Sequence, residues 1–223
     1  MRTSTTRRLR RTGAAVLIGA AALGFAGTAT AATATMYGDP TAAAAYWAPQ
    51  TLDDCALMSV ADVVGQLTGT TPTEEDIVTL ASTTASVSHS GSIYFPPDNL
   101  DDPNTGHGTE GDDLPILLAH YGIKATLTDD DSAADAGVPT GMDALERNLA
   151  AGHPVIAFVN SATIWATDGD RSRPDHALVV TGVDTAHGVV HLNDSGTDDG
   201  CDEQVSIATF SDAWRGHPML VTT

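Results

Sequence analysis

The sequence has few basic residues: 10 lysines and arginines stand against 29 aspartates and glutamates, which gives a formal net charge of −19. A protein with so large a negative charge repels nucleic acids and anionic membranes. The sequence also lacks a glycine-rich loop of the kind that cradles phosphate groups. We therefore expect neither a nucleic-acid partner nor a cofactor.

Long apolar runs are missing too, except near the N-terminus. Four arginines between Arg7 and Arg11 precede an apolar segment from Ala14 to Ala26, and Ala29-Thr-Ala31 follows it. This order is typical of a secretory signal peptide with an A-x-A cleavage site, and the apolar segment is too short to span a bilayer comfortably. A lone N-terminal membrane anchor is the alternative. We predict that residues 1–31 are a signal peptide and that the mature chain is extracellular and not bound to a membrane.

The predicted mature chain, residues 32–223, is more acidic than the precursor. Residues 1–31 contain five basic residues and no acidic one, so their removal leaves 5 − 29 = −24 formal charges. The remaining 192 residues (223 − 31) are enough for one sizeable core but too few for two comfortable domains. We therefore predict a single domain.

Cysteine is scarce, with Cys55 and Cys201 as its only occurrences. Two cysteines in an exported protein usually pair, so a Cys55–Cys201 disulfide is one interpretation. The other is that Cys55 is a nucleophile, because it opens an apolar, helix-like run and follows Asp53 and Asp54, two candidate N-caps. The positive end of a helix dipole favours the thiolate, which is the form that attacks carbonyl groups.

The sequence also supplies partners for a nucleophilic thiol. His176 begins a strand-like run and Asp194 ends the next one, and a hairpin that turns near Thr185 and Ala186 would bring Asp194 within a residue or two of the position opposite His176. Gln50 lies five residues before the cysteine, where its amide could donate a hydrogen bond to an oxyanion. We predict His176 as the base, Asp194 as the residue that orients it, and Gln50 as an oxyanion donor.

These motifs together resemble a known family. The chain has Gln50, then Asp54-Cys55 at a helix start, His176-Ala-Leu-Val-Val-Thr-Gly, Leu192-Asn-Asp194 and Phe210-x-x-Ala-Trp214. This order is similar to that of papain-like cysteine peptidases of family C39 and its C39-like relatives, which include the bacteriocin-leader-cleaving peptidases, and it extends over residues 46–217. The resemblance implies a papain-like fold and a thiol hydrolase with a Cys-His-Asp triad. One departure is Ala56, since the family usually has glycine directly after the cysteine.

The remaining pattern predicts an α+β fold, with helices first and an antiparallel sheet later. We expect helices at 55–67, 73–80, 112–121, 141–151 and 210–214, and strands at 123–127, 154–159, 176–184, 188–194 and 219–222. Residues 85–111 are rich in Ser, Gly, Pro, Asn and Asp and predict a long loop, which either lines a cleft or is a surface excursion.

Other polar residues give weaker signals. His187 and His191 are four residues apart, but on a turn and a strand, so we do not expect a zinc pair. Residues 194–203 carry carboxylates that could bind calcium, although a solvated loop fits them better. Trp47, Trp165 and Trp214 are interpreted as packing anchors.

Two functions follow from the sequence. The first is an exported cysteine peptidase that acts on a peptide or protein substrate through Cys55, His176, Asp194 and Gln50, without a metal. The second is a non-catalytic acidic binding or effector domain in which Cys55 is locked to Cys201. A reactive thiol in the native protein would favour the first.

Overall fold

The computed structural model describes residues 35–95 and 108–223. The predicted signal peptide, residues 1–31, lies outside the described residues, as does the middle of the predicted long loop. The helices are α1 Pro40–Ala43, α2 Cys55–Thr68, α3 Glu74–Thr83, α4 Leu114–His120, α5 Ala133–Ala136, α6 Met142–Ala150, α7 Ser161–Ile164 and α8 Ile207–Ala213. The strands are β1 Met36–Gly38, β2 Ala125–Thr128, β3 Val155–Val159, β4 His176–Asp184, β5 Val189–Asn193, β6 Glu203–Ser206 and β7 Met219–Thr222.

The two N-terminal helices α2 and α3 form where the sequence predicts them. α2 begins at Cys55 and ends at Gly69, whose φ of 79° is in the left-handed region that glycine adopts without strain. α3 begins with a capping box in which the Thr73 side chain accepts from the Asp76 amide and Asp76 bonds back to the Thr73 amide. The ends of both helices are thus fixed by local sequence.

All strands of the sheet pair in antiparallel fashion, in the order β2-β7-β3-β4-β5-β6, and β1 adds to the far end of β4. The β4–β5 hairpin turns over residues 185–188, as predicted. Val179 lies opposite Asn193, so Asp194 continues toward the position opposite Leu178, two residues from His176. The hairpin therefore brings the predicted base and its orienting residue to the same end of the sheet.

The sheet separates two apolar clusters. Side chains of α2, α3 and α4 pack on one face, against Ala177 and Val179 of β4 and Ile156 of β3. The other face carries α6, α8 and Trp214, which pack on Leu178 and alternate residues of the neighbouring strands. This alternation is the period of two expected of a strand that is buried on both faces. The predicted α+β class, with the Cys55 helix packed on an antiparallel sheet, is confirmed.

Several short elements differ from the prediction. The sequence pattern missed β1, α1, α5, α7 and β6, all of three or four residues, because so few residues show no clear period. The helix expected at 112–121 opens with a 3-10 turn at Gly111–Asp113. The helix expected at 210–214 begins at Ile207 instead, because Ser206 caps it by accepting from the Thr209 amide. Among residues 35–95 and 108–223, no helix is both long and apolar enough to cross a bilayer.

Candidate active site

Cys55 lies at the N-terminus of α2, where the helix meets the end of strand β4. Its side chain is half-buried, and the Ala177 amide donates to Sγ at 3.5 Å. The thiol lines a cavity of about 440 Å³ between α2, residues 108–111 and the start of β4. The part of the predicted long loop that the structure describes at 108–111 thus lines the cleft. A thiol in this place can reach a substrate and also receives two stabilising influences, the helix dipole and a backbone N–H.

The His176 imidazole lies between Cys55 and Asp194. Its Nε2 is 2.7 Å from Asp194 Oδ1, and the two residues are 7 % and 0 % exposed. Because Nε2 faces the carboxylate, Nδ1 is the nitrogen left for the Cys55 thiol, which lies close enough to interact electrostatically with the ring. Burial alone would lower the pKa of His176, but the hydrogen bond to Asp194 and the interaction with Cys55 outweigh it and raise that pKa to about 10. The ring is therefore held as imidazolium at neutral pH.

Asp194 is buried, yet every part of it is hydrogen-bonded. Oδ1 also accepts from the Gly196 amide at 2.8 Å, and Oδ2 accepts from Trp165 Nε1 at 2.9 Å. Burial would raise the pKa of Asp194, but the hydrogen bond and charge of His176, with these two donors, hold it below its usual value. The Asp194 backbone carbonyl accepts from Trp47 Nε1 at 2.7 Å. The carboxylate is thus fixed as an anion facing His176.

Two tryptophans therefore do more than the packing predicted for them. Trp165 donates to the Asp194 carboxylate and its ring centroid is 4.9 Å from that of His176, whereas Trp47 holds the Asp194 main chain. Trp214, by contrast, is a fully buried packing residue that donates to the Pro218 carbonyl, as the sequence predicts. Trp47 and Trp165 both lie outside regular strands and the longer helices, so no periodicity in the sequence could have assigned them to the site.

Replacing Trp165 with Phe should weaken the site without unfolding the protein. Loss of the N–H donor raises the pKa of Asp194, and hydrogen bonds to charged groups contribute about 1.5–3 kcal/mol. The lowered pKa keeps Asp194 ionised, and able to stabilise the His176 imidazolium, until the pH falls through that pKa. When the variant raises the pKa of Asp194, the loss of Cys55 alkylation in acid should therefore begin at a higher pH. The rate of iodoacetamide labelling, measured against pH in a Cys201→Ser background, checks this.

Trp214→Phe is the matched control, because it removes a tryptophan N–H that bonds a carbonyl away from the cavity. We expect it to lower thermal stability and to leave the pH dependence of labelling as it is. Identical pH profiles for the two variants would contradict a role of Trp165 in holding Asp194.

Gly196 is a further residue that the sequence did not single out. A Cβ atom added there would lie 2.8 Å from the Trp165 ring and 3.0 Å from His176 Cε1. Contacts that short force neighbours to move, so only glycine fits between the two rings. The requirement arises from a close approach across the fold, which a single sequence does not reveal.

Gln50 is placed beside the triad, but not in the cavity wall. Its Nε2 donates to the Leu52 carbonyl at 2.9 Å, and its Oε1 accepts from Ser195 Oγ at 2.8 Å. The backbone N–H of Gln50 also donates to the Ser195 carbonyl at 2.9 Å. These bonds attach Gln50 to the segment that follows Asp194. One N–H of its amide remains beyond the bond to Leu52, since an amide group has two.

The other polar residues lie elsewhere. Asn193, the last residue of β5, donates to the Ala43 carbonyl and to Asp62 rather than to His176. His191 pairs with Asp202, with 2.7 Å between Nδ1 and Oδ1. His187 pairs with Asp184. In the part of the chain that the structure describes, no group of three or more His, Cys, Asp or Glu side chains is arranged to hold a metal ion.

Both cysteines are free thiols. Cys201 is exposed and its thiol donates to the Ala44 carbonyl at 3.5 Å, whereas Cys55 lies in the cavity. Ala56, the departure from the family pattern, is 4 % exposed and packs in the cluster around α2. Its methyl group is therefore part of the core as well as of the cavity wall.

A thiol, an imidazole and a carboxylate in this order, with a helix carrying the thiol and a sheet carrying the other two, define a papain-like architecture. The sequence model of the Peptidase C39-like family matches residues 54–217, so the chain belongs to this family. Membership in a peptidase family implies that substrates are peptides or proteins.

Relatives of known sequence and structure agree with this assignment. Uncharacterized proteins of Mycobacterium tuberculosis (strain H37Rv) and Mycobacterium bovis are 52% identical over 216 residues, which cover 94% of this chain and 93% of each relative. The crystal structure of a Bacillus anthracis protein, described as a candidate C39-like peptidase, is similar with a TM-score of 0.54 at 18% identity, over 85% of this chain and 98% of that one. At this identity the likeness concerns the fold, and it confirms the papain-like fold predicted from the sequence.

Proposed function

We propose that this chain is an exported cysteine peptidase that cleaves peptide or amide bonds with Cys55, His176, Asp194 and Gln50. The observation that carries the proposal is the row formed by the Cys55 thiol, the His176 imidazole and the Asp194 carboxylate, in which His176 Nε2 lies 2.7 Å from Asp194 Oδ1 and the thiol helps to raise the pKa of the imidazole. The raised pKa of His176 supports an imidazolium beside the thiol, and such a cation stabilises a thiolate. The family assignment supports the peptidase class.

The reaction follows from these charges. The Cys55 thiolate attacks the scissile carbonyl carbon and forms a C–S bond while the carbonyl oxygen becomes an oxyanion. The His176 imidazolium then gives its proton to the leaving amine as the C–N bond breaks, which leaves a thioester and a neutral imidazole. The neutral ring next accepts a proton from water, whose oxygen attacks the thioester, and the carboxylic acid product and thiolate are released. Asp194 keeps the ring oriented throughout.

The oxyanion needs donors close to Sγ. α2 has no side-chain cap, so the backbone N–H groups of its first turn are not occupied by a capping side chain. The Cys55 N–H is one of them, and the remaining N–H of the Gln50 amide is the second donor that we assign. Binding of the substrate carbonyl would align the two.

Peptide profiling of the purified chain 32–223 tests the proposal. A peptide library should yield defined cleavage products by mass spectrometry, and prior alkylation of Cys55 should prevent them. Cleavage that persists after complete alkylation would show that another site is responsible. The amino-terminal sequence of the protein recovered from the culture medium tests export and cleavage after residue 31.

The alternative, a binding domain stapled by Cys55 and Cys201, makes an opposite prediction. We expect Cys201→Ser to leave the melting temperature and the labelling of Cys55 unchanged, because the exposed Cys201 thiol makes a single long hydrogen bond. A disulfide that closes so long a loop would contribute about 5 kcal/mol in the chain-entropy model. Melting curves and thiol titration of the unmodified protein and of the Cys201→Ser variant decide between the two functions. A sharp drop in melting temperature, with no reactive thiol in the unmodified protein, would contradict the peptidase.

A further inference from the structure

The cavity beside Cys55 is lined by more acidic than basic groups. Among the described residues that line it, Asp53, Asp54, Glu110 and Asp175 contribute carboxyl groups, whereas the cationic groups are the Arg173 guanidinium and the His176 imidazolium. Low-dielectric walls concentrate the field of such charges and attract ions of opposite sign. The surplus of negative charge would repel an acidic substrate and attract a basic one.

Asp54 is the unusual member of this set. It is 1 % exposed, and neither of its carboxyl oxygens accepts a hydrogen bond of good geometry, although the Glu74 carboxyl lies close beside it. Buried polar atoms in proteins are nearly always hydrogen-bonded, and an unpaired carboxyl is expensive to bury. Although Asp54 directly precedes α2, it does not cap that helix. Its two oxygens are therefore acceptors with unused capacity, one residue from the nucleophile.

A hydroxyl group of the cavity wall is also unpaired. Thr109 Oγ1 has no hydrogen-bond partner, and Thr109 and Asp54 both line the cavity. A carboxyl and a hydroxyl that lack partners form a polar subsite that a substrate group with several hydrogen-bond donors would satisfy.

We propose that this subsite, formed by Asp54 and Thr109 in the wall of the acidic cavity, binds a basic side chain of the substrate next to the scissile bond. The proposal rests on the peptidase function and names its substrate class, peptides with lysine or arginine at that position. An ammonium or guanidinium group carries both the charge and the several N–H donors that these acceptors lack.

A pH effect follows from the environment of Asp54. Burial, followed by the nearby Glu74 and then Asp53, raises the pKa of Asp54 to about 7. A protonated Asp54 attracts a cation less, so the preference for a basic substrate should increase as the pH rises through about 7. The ratio of rates for matched basic and neutral substrates isolates this effect, because any influence of pH on the chemical step is common to both substrates.

The first test uses small thiol reagents and needs no peptidase activity. In a Cys201→Ser background, Cys55 is treated with methanethiosulfonates that carry a trimethylammonium, a neutral methyl or a sulfonate group; the thiolate displaces methanesulfinate from each and forms a mixed disulfide. We expect the cationic reagent to react about tenfold faster than the anionic one, relative to their rates with free cysteine. Added salt should reduce this ratio.

Charge variants assign the effect to the cavity. Asp53→Asn combined with Glu110→Gln should lower the cationic-to-anionic ratio by a factor of about three. The control, Asp135→Asn with Asp143→Asn, removes the same charge outside the cavity wall and should leave the ratio unchanged. Equal rates for the three reagents, or an equal effect of both double variants, would overturn the subsite.

The second test compares peptides that contain lysine or norleucine, and arginine or citrulline, at each position around the cleaved bond. A basic preference of about tenfold at one position, lost in Asp53→Asn with Glu110→Gln, supports the proposal. N-acetylated versions separate a basic side chain from a free terminal amine, and preference for the amine alone would overturn it. If no peptide is cleaved, the peptidase function fails, and the reagent rates still decide whether the cavity selects cations.

Discussion

Replacement of Cys55 by serine is expected to abolish peptide cleavage, by at least about a thousandfold, and to remove labelling by iodoacetamide at this site. The reason is the pairing with His176, whose imidazolium stabilises a thiolate but cannot hold an alcohol in its ionised form near neutral pH. The exchange of sulfur for oxygen is nearly isosteric, and the side chain is half-buried, so the fold should survive with a change of about 1 kcal/mol. Cleavage assays and urea unfolding measure the two effects.

Cys201→Ser provides the control for this variant, because it makes the same chemical change at an exposed thiol outside the cavity wall. It should keep full cleavage activity and one reactive thiol per chain. A Cys55→Ser protein that cleaves at the rate of the unmodified chain would show that the thiol is not the nucleophile.

Most of the candidate site could be predicted from local signals. Cys55 follows two carboxyl-bearing residues and starts an apolar run, a pattern that predicts a helix start, and α2 does begin at Cys55. His176 begins one strand of a hairpin and Asp194 directly follows the other, and the short turn at 185–188 leaves little freedom of register. The bulge near Thr181 moves the register by one position, but His176 and Asp194 remain close together.

The parts that could not be predicted depend on contacts between distant segments. Trp165 reaches Asp194 from 29 residues away and Trp47 from 147 residues away, and both indole N–H groups meet the same residue. Gly196 is required because two rings close around it. The spacing of these residues along the chain does not predict such contacts, since the contacts result from the packing of irregular segments at the end of the sheet.

Asp54 shows a different limit. From the sequence, an aspartate before an apolar helix predicts an N-cap, and the residue does occupy the N-cap position. Its side chain nevertheless makes no capping hydrogen bond and is buried beside Glu74. The N-cap preference of aspartate favours a capping hydrogen bond, which stabilises a helix. Positions where a side chain does not make such an expected interaction are often functional.

Replacement of His176 by alanine is expected to reduce peptide cleavage by roughly three orders of magnitude or more and to slow alkylation of Cys55 at neutral pH. Without the imidazolium the thiolate loses its counter-ion and the leaving amine loses its proton donor. The variant also leaves Asp194 buried without its principal partner, at a cost of about 3 kcal/mol in the free energy of unfolding. Cleavage rates, alkylation rates and urea unfolding at several pH values measure these effects.

The stability loss in His176→Ala should itself depend on pH. Because the folded-state pKa of His176 is raised to about 10, the stabilisation from its charge is complete below the ordinary histidine value and is lost as the pH rises through about 10. The difference in unfolding free energy between the unmodified protein and the His176→Ala variant should therefore become smaller in alkaline solution. A gap of constant size from neutral pH to above pH 10 would contradict a charged His176 in the folded protein.

His191→Ala is the matched control, since His191 also lies on a strand of the hairpin, is 8 % exposed and pairs with a carboxylate at 2.7 Å. Its partner is Asp202, and neither residue lines the cavity that contains Cys55. The variant loses a similar histidine–carboxylate pair, so its stability should fall as well. Its cleavage and alkylation rates, however, should stay close to those of the unmodified protein, because His176, and not His191, shares the cavity with the thiol. If both alanine variants lost activity to the same extent, the effect would come from damage to the hairpin, and the assignment of His176 as the base would be wrong.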